Sequence, residues 1–281
     1  MWLPYRYGFM IAAACALVVV AARQFRQPVA RTAAAIIQEL GIVMTLYGIW
    51  QYVRSLAVTK SEGAVANART LWDIQRWMHL PNEATLQSWV IDNRPIMWFL
   101  NAYYGVAHVP AAVALLIWVF WKHRDRYPTI RATFALTIAG CIAIQAWIPM
   151  APPRFLPDLG FIDAGLKYHM SVYGTGSHGI SNEVAAMPSL HWAWAILVAV
   201  TVWKFETTRW RWIGVVHLFL TMCAVTLTAN HWWLDGIVAG LIVGLAYVAQ
   251  RAARTGWRGL VDPPPEALVS GDADVPVEEW V

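Results

Sequence analysis

Two short stretches hold the residues of this chain best suited to chemistry: Pro188-Ser189-Leu190-His191 and His231-Trp232-Trp233-Leu234-Asp235. His231 and Asp235 are spaced i, i+4, so on a helix they stack on one face, one turn apart. A carboxylate bonded to one imidazole nitrogen fixes the tautomer and raises the basicity of the other. That is the condition for a nucleophilic histidine. Pro188 suits the first turn of a helix, where its missing N–H costs nothing. Free amides at that helix start, with the Ser189 hydroxyl, suit a phosphate. His191 is then placed to protonate a leaving oxygen. Arg154, within Pro152-Pro153-Arg154-Phe155, offers a permanently charged bidentate partner for phosphate oxygens. Together these types point to phosphoryl transfer.

The elements that must position these residues are membrane helices. Of 281 residues, 58% are hydrophobic and only 14% charged, and the mean hydropathy is +0.45. A soluble domain carries roughly a quarter charged residues, so the composition indicates an all-α, polytopic membrane bundle. Apolar runs at about 7–22, 35–58, 96–121, 131–149, 188–204, 212–229 and 232–250 suggest six to seven spans. The first run has Arg6 ahead of it and Arg23, Arg26 and Arg31 behind it, which favours a retained helix over a cleaved signal. Cys15, Cys141 and Cys223 all fall inside apolar runs and suggest neither a disulfide framework nor a zinc site. The formal charge of +4 is spread over loops, and no nucleic-acid partner is expected; the partners are the bilayer and a lipid.

The connections alternate in charge. Links at 23–34, 122–130 and 204–211, and the start of the tail, are rich in lysine and arginine, whereas the opposite set is longer and mixed in sign. The positive-inside rule places the first set in the cytoplasm. The mouths of 188–204 and 232–250 then share one outward face, although His191 and His231 are 40 positions apart. The stretch 64–90, with Trp72, Ile74, Trp77, Met78 and Leu80 among polar residues and an interruption at Pro81, suggests a helix lying in the interface. The acidic, proline-rich end from Asp262 onward has too little apolar surface to fold. The expected organisation is 1–95, N-terminal spans and the interfacial segment; 96–250, a catalytic membrane core; and 251–281, a cytoplasmic tail.

Asn101-x-x-Tyr104-x-x-x-His108 forms a polar stripe on the third span, suited either to bonding neighbouring helices or to binding substrate. Glu39 reads as a snorkelling or helix-bonding residue. His178 and the glycines of Tyr173–Gly179 suggest a flexible cover over the site, with direct phosphate binding as the alternative; His79, His169 and His217 read as interface or core residues, and Asp163 and Ser171 carry no signal. Two other classes compete with an enzyme. A transporter or channel using histidines as ion sites predicts inverted repeats and helices broken near the midplane, and a membrane scaffold predicts structural His–Asp pairs only.

Pro188–His191 and His231–Asp235 resemble the second and third motifs of the type 2 phosphatidic acid phosphatase superfamily. Within it they most resemble the branch containing fungal inositol phosphorylceramide synthase and its bacterial relatives. The resemblance runs from about Asn101 to Gly244. It implies that His231 is a nucleophile forming a phosphohistidine, that Asp235 orients it, that His191 is the general acid, and that the chemistry needs no metal or other cofactor. Arg154, Ser189, Tyr104, His108 and Asn101 become the expected substrate-binding set. Trp147 and Val225 stand where the superfamily usually has a lysine and an arginine. The inositol-transferring branch also lacks those two cations and carries PSLH. The expectation is therefore a lipid phosphatase or phosphotransferase in the plasma membrane of a bacterium, with its site facing outside.

Overall fold

The computed structural model describes residues 3–22, 24–25, 27–57, 63–170 and 184–261. The expected cover at 173–179 and the tail from Asp262 lie outside them. An N-terminal hairpin of α1 (Tyr5–Ala22) and α2 (Pro28–Ala57) precedes two amphipathic helices, α3 (Ala64–Trp77) and α4 (Glu83–Ser88). The bundle continues with α5 (Arg94–Val106), α6 (His108–Lys122), α7 (Tyr127–Trp147), the short α8 (Ala164–Lys167), α9 (Leu190–Phe205), α10 (Trp212–Leu227) and α11 (Trp233–Val261). The protein is an all-α integral membrane protein. Among the described residues five helical stretches, in α1, α2, α7, α10 with its lead-in turn, and α11, are long and apolar enough to cross a bilayer, or six with the bent pair α5–α6 taken as one span. Leu17, Leu241 and Leu245 stand exposed on their outer faces, where lipid replaces water as the surrounding medium.

Two of the seven expected spans differ from a simple crossing. The run at 96–121 is two helices, α5 and α6, bent by 49°. The cause is local: Pro110 sits in the first turn of α6, has no N–H to give the Val106 carbonyl, and its ring clashes with that carbonyl. The run at 188–204 begins as a helix only at Leu190 and has 16 residues. At 1.5 Å per residue that is about 24 Å, short of the hydrocarbon thickness. Its missing start is the extended segment that carries Pro188 and Ser189.

The main core lies where α6, α7, α9 and α11 meet, around Val119, Phe134, Cys141, Leu197 and Ala239. A second cluster at one end of the bundle joins Leu71 of α3 to Leu156, Phe161 and Trp232 of the connecting loops. Trp72, expected in the interface, instead stacks edge-on against Phe161 (5.5 Å) and near Trp232 (6.1 Å). Trp77, five residues on, is 78% exposed. Glu39 bonds helices rather than snorkelling: Arg131 Nη1 of α7 donates to both of its carboxylate oxygens at 2.5 Å, tying the α1–α2 hairpin to the core. The close approach of α9 to α11 requires a glycine. A Cβ on Gly236 would lie 2.6 Å from the Trp192 ring.

Candidate active site

Three backbone segments converge on His231. The first is the end of α10, where Ala229 takes a left-handed turn (φ 55°) and the Val225 carbonyl accepts both Asn230 N (3.0 Å) and His231 N (3.1 Å). The second is the strand-like pair at Met150 and Ala185. Met150 N donates to Val184 O (2.7 Å) and Ala186 N to Met150 O (3.1 Å), which fixes the Ala186 carbonyl. The third is the turn into α9, which follows a cis Met187–Pro188 bond. Gln145 Nε2 of α7 donates to the Pro188 carbonyl (2.7 Å) and holds that turn in place.

These supports decide the state of the imidazole. His231 Nδ1 lies 2.9 Å from Ala186 O and 3.1 Å from Asp235 Oδ2. A carbonyl oxygen only accepts, so Nδ1 must carry the proton. In the neutral ring Nε2 is then the bare nitrogen. Asp235 is fully buried, and the same Oδ2 also accepts Trp232 N at 2.9 Å. His231 Nε2 faces His191 Nδ1 at 3.2 Å, so His191 Nδ1 is the donor in that contact.

Tyr104 and His108 flank the pair. The Tyr104 ring stacks on His191 (4.5 Å, 27°) and meets His231 edge-on (6.2 Å), and His108 packs edge-on against His191 (4.1 Å). The bend between α5 and α6 lets residues from two helix axes reach one imidazole, replacing the single straight stripe expected from the spacing. Asn101 is buried, but its Nδ2 donates to Met97 O of its own helix (2.9 Å). The side chain thus engages its own helix.

Ser189 and Arg154 are both occupied by the fold. Helix α9 starts after Ser189, not at Pro188: Ser189 is the N-cap, and its Oγ accepts Trp192 N at 3.3 Å. The amides of Leu190 and His191 lie ahead of that bond, at the open end of the helix. Arg154 is buried. Its backbone N donates to Ala229 O (3.0 Å), its guanidinium bonds Asn230 Oδ1, and its Nε lies 3.4 Å from Asp163 Oδ2. Arg154 therefore neighbours the residue preceding His231, with a carboxylate partly offsetting its charge. Asp163 gave no signal in the sequence; its Oδ1 caps α8 by accepting Leu166 N (2.9 Å) while Oδ2 faces the arginine. Trp147 is 87% exposed, and Val225, buried, contributes the carbonyl noted above. Neither supplies charge. Among the described residues no group of three or more His, Cys, Asp or Glu side chains is arranged to hold a metal ion.

Sequence reasoning also missed Gln75, Glu83 and Gln87, all essentially inaccessible. Gln87 Nε2 donates to Ile162 O (2.8 Å) and Leu227 O (3.2 Å), linking α4 to the loop beyond Arg154 and to the end of α10. Glu83 accepts from Gln75 Nε2 (2.8 Å) and Trp233 N (3.2 Å). Burial pushes its carboxyl above the usual carboxylate range, against the opposing pull of these bonds and of Arg76. One signal pointed here: Ala64, Ala68, Leu71 and Gln75 follow the helical period, which puts a glutamine on the face otherwise made of core residues.

Fold and site together describe a helical membrane protein with a His–His–Asp cluster at one end of its bundle. The family model described as PAP2 superfamily matches residues 69–249, and the chain belongs to that superfamily, whose members are phosphatases and phosphotransferases. No curated protein and no solved structure matches the chain.

Proposed function

We propose that the chain is a lipid phosphotransferase or phosphatase working through a phosphohistidine on His231, without metal or other cofactor. The observation that carries this reading is the His231 ring itself. A carbonyl and a carboxylate both hold the proton on Nδ1, leaving Nε2 as the nucleophile beside a second histidine. In the first step Nε2 attacks the phosphorus of a lipid phosphate or phosphodiester. The N–P bond forms, the P–O bond to the alcohol breaks, and His191 gives its proton to the departing oxygen. In the second step water or another hydroxyl loses a proton to His191 and attacks phosphorus, freeing His231. A phosphorus atom does not fit between nitrogens 3.2 Å apart, so the substrate must part the two rings.

The substrate-binding set is Arg154, the α9 amides beyond Ser189, Tyr104 and His108; the Asn101 amide is bonded within its own helix. The scarcity of cations supports a phosphate that is already esterified and carries one negative charge. That favours transfer of the inositol phosphorylceramide synthase type over hydrolysis of a monoester. Loop charges support a site on the extracytoplasmic face of a bacterial plasma membrane, with 96–250 as the catalytic core.

Purified protein in detergent, given a radiolabelled lipid phosphodiester or monoester, tests the mechanism. Wild-type protein is expected to turn over and to yield an acid-labile phosphoprotein on quenching. His231→Gln loses both, and His191→Ala loses at least a hundredfold in turnover, about the worth of general acid catalysis. Full turnover in both variants would overturn the mechanism.

A further inference from the structure

The first turn of α11 carries the register between His231 and Asp235, and its free amides find their acceptors in three different places. Trp232 N donates to Asp235 Oδ2 (2.9 Å), Trp233 N to Glu83 Oε1 (3.2 Å) and Leu234 N to Gln75 Oε1 (3.0 Å). Helix starts usually leave such donors to solvent or to one capping side chain. Here two fully buried side chains, from α3 and from the first residue of α4, close on the turn. They also bond each other, Gln75 Nε2 to Glu83 Oε1 (2.8 Å), so both ends of the Gln75 amide are used. The loop between α3 and α4 joins in, because the Pro81 carbonyl accepts the Trp233 indole N–H (2.9 Å) and Arg76 Nη2 (3.0 Å).

We propose that Gln75 and Glu83 are positioning residues that clamp the first turn of α11, keeping Asp235 on His231 Nδ1 and His231 Nε2 aimed at the substrate. The amphipathic unit α3–α4 is then part of the working site and more than a membrane-surface helix. The physical reason is competition for acceptors. Buried amides that lose Glu83 or Gln75 cannot turn to water. The Asp235 carboxylate, whose Oδ1 has no partner among the described residues, is the acceptor open to them. Drawing that carboxylate toward Trp233 N or Leu234 N takes it off the imidazole and releases the tautomer.

The catalytic half of this proposal rests on the proposed function; the clamp rests on geometry alone. Full-length protein in detergent is therefore read in two ways, by amide hydrogen exchange over 231–236 and by kcat and KM on a lipid phosphodiester. Glu83→Leu and Gln75→Leu are expected to speed exchange in that peptide at least tenfold. They should lower kcat roughly tenfold to a hundredfold, the scale of an ångström-sized misplacement, with KM within threefold. Glu83→Gln, which keeps the acceptor, recovers most of both losses. Should the leucine variants not fold, Glu83→Asp and Gln75→Asn, which withdraw the acceptor by one methylene, carry the same prediction with smaller changes. Unchanged exchange in the folded variants overturns the clamp. Faster exchange with wild-type kcat overturns the positioning role. Exchange that responds while wild-type protein acts on no lipid phosphate supports the clamp and overturns the proposed function.

Discussion

Replacing Gly236 by alanine sets two effects of one methyl group against each other. In a helix interior alanine is better than glycine by about 1 kcal/mol, because glycine loses more backbone entropy on folding. At Gly236 the added Cβ would lie 2.6 Å from Trp192 Cδ2 and 2.7 Å from Cε2. Carbon atoms prefer about 3.5–4.0 Å, so the indole must retreat by about 1 Å. Overpacking of this kind costs about 1–3 kcal/mol, so the clash outweighs the propensity gain. Trp192 follows His191 directly in the first turn of α9, and retreat of that turn lengthens the 3.2 Å contact between the two histidines beyond hydrogen-bonding range. Gly236→Ala is expected to lower Tm by several degrees and turnover by about a hundredfold. Gly244 supplies the control, since nothing lies within 4 Å of a Cβ built there; Gly244→Ala should leave turnover unchanged and raise Tm slightly. The indole Nε1 of Trp192 is buried with no hydrogen-bond partner among the described residues, so Trp192→Leu removes bulk and none of the described hydrogen bonds. The double variant Gly236→Ala/Trp192→Leu should regain much of the lost turnover relative to Gly236→Ala. Turnover and melting of the four proteins, measured in one detergent, decide the matter. Wild-type turnover in Gly236→Ala, or a double variant no better than the single, would refute the argument.

Two more outcomes follow from charges near the site. Asp163→Asn keeps the cap on α8, because an asparagine oxygen accepts Leu166 N equally well, but removes the charge 3.4 Å from Arg154. The ratio of monoester to diester kcat/KM should then rise about fivefold, the worth of ~1 kcal/mol for a partly exposed pair; an unchanged ratio would mean that Asp163 does not tune the arginine. Glu83 has a folded-state pKa above its ordinary 4.5, so the folded protein binds the proton more tightly than the unfolded chain. The group's stabilising contribution is therefore greatest in acid and is lost as pH rises from 4.5 through the raised value. Against wild type, Glu83→Gln should gain in relative Tm as the pH is raised from 4 to 7, and a difference independent of pH would show that the carboxylate is fully compensated in place.

What the sequence made legible was mostly local or set by charge. The i, i+4 spacing of His231 and Asp235 needs only one helical turn, and the structure places them 3.1 Å apart. His191 could be assigned to the same end because loop charges order the spans. The bend at Ala107 was hidden although its cause, Pro110, was in view: hydropathy runs straight through 96–121, and a proline near a possible helix start looks harmless. Gln75 and Glu83 were hidden for a different reason. Their partners Leu234 and Trp233 are 159 and 150 positions away, and a polar residue in an amphipathic helix reads as solvent-facing until something is known to cover it. Asp163 was silent because an aspartate in a loop already has an adequate explanation as a helix cap. That role and its contact with Arg154 use different oxygens of one carboxylate.

The two histidines also say something about how such a site waits for substrate. His191 Nδ1 donates to the nitrogen that is proposed to attack, so in the resting protein the nucleophile is spent on a hydrogen bond. Tyr104 stacked on one face of His191 and His108 against its edge pack that ring beside His231. The cost of parting the rings is the loss of one hydrogen bond, about 1 kcal/mol, which a phosphate oxygen accepting from His191 Nδ1 restores. Under the proposed mechanism an incoming phosphate trades one acceptor for another at His191 while uncovering Nε2 for attack. Water in the same position can also accept that proton, but under the proposed substrate set it gains nothing from Arg154 or from the amides at the head of α9. Under the proposed mechanism the closed pair favours opening for a phosphate over opening for water. A transferase benefits from that bias, since exposure of the nucleophile then coincides with occupation of the site.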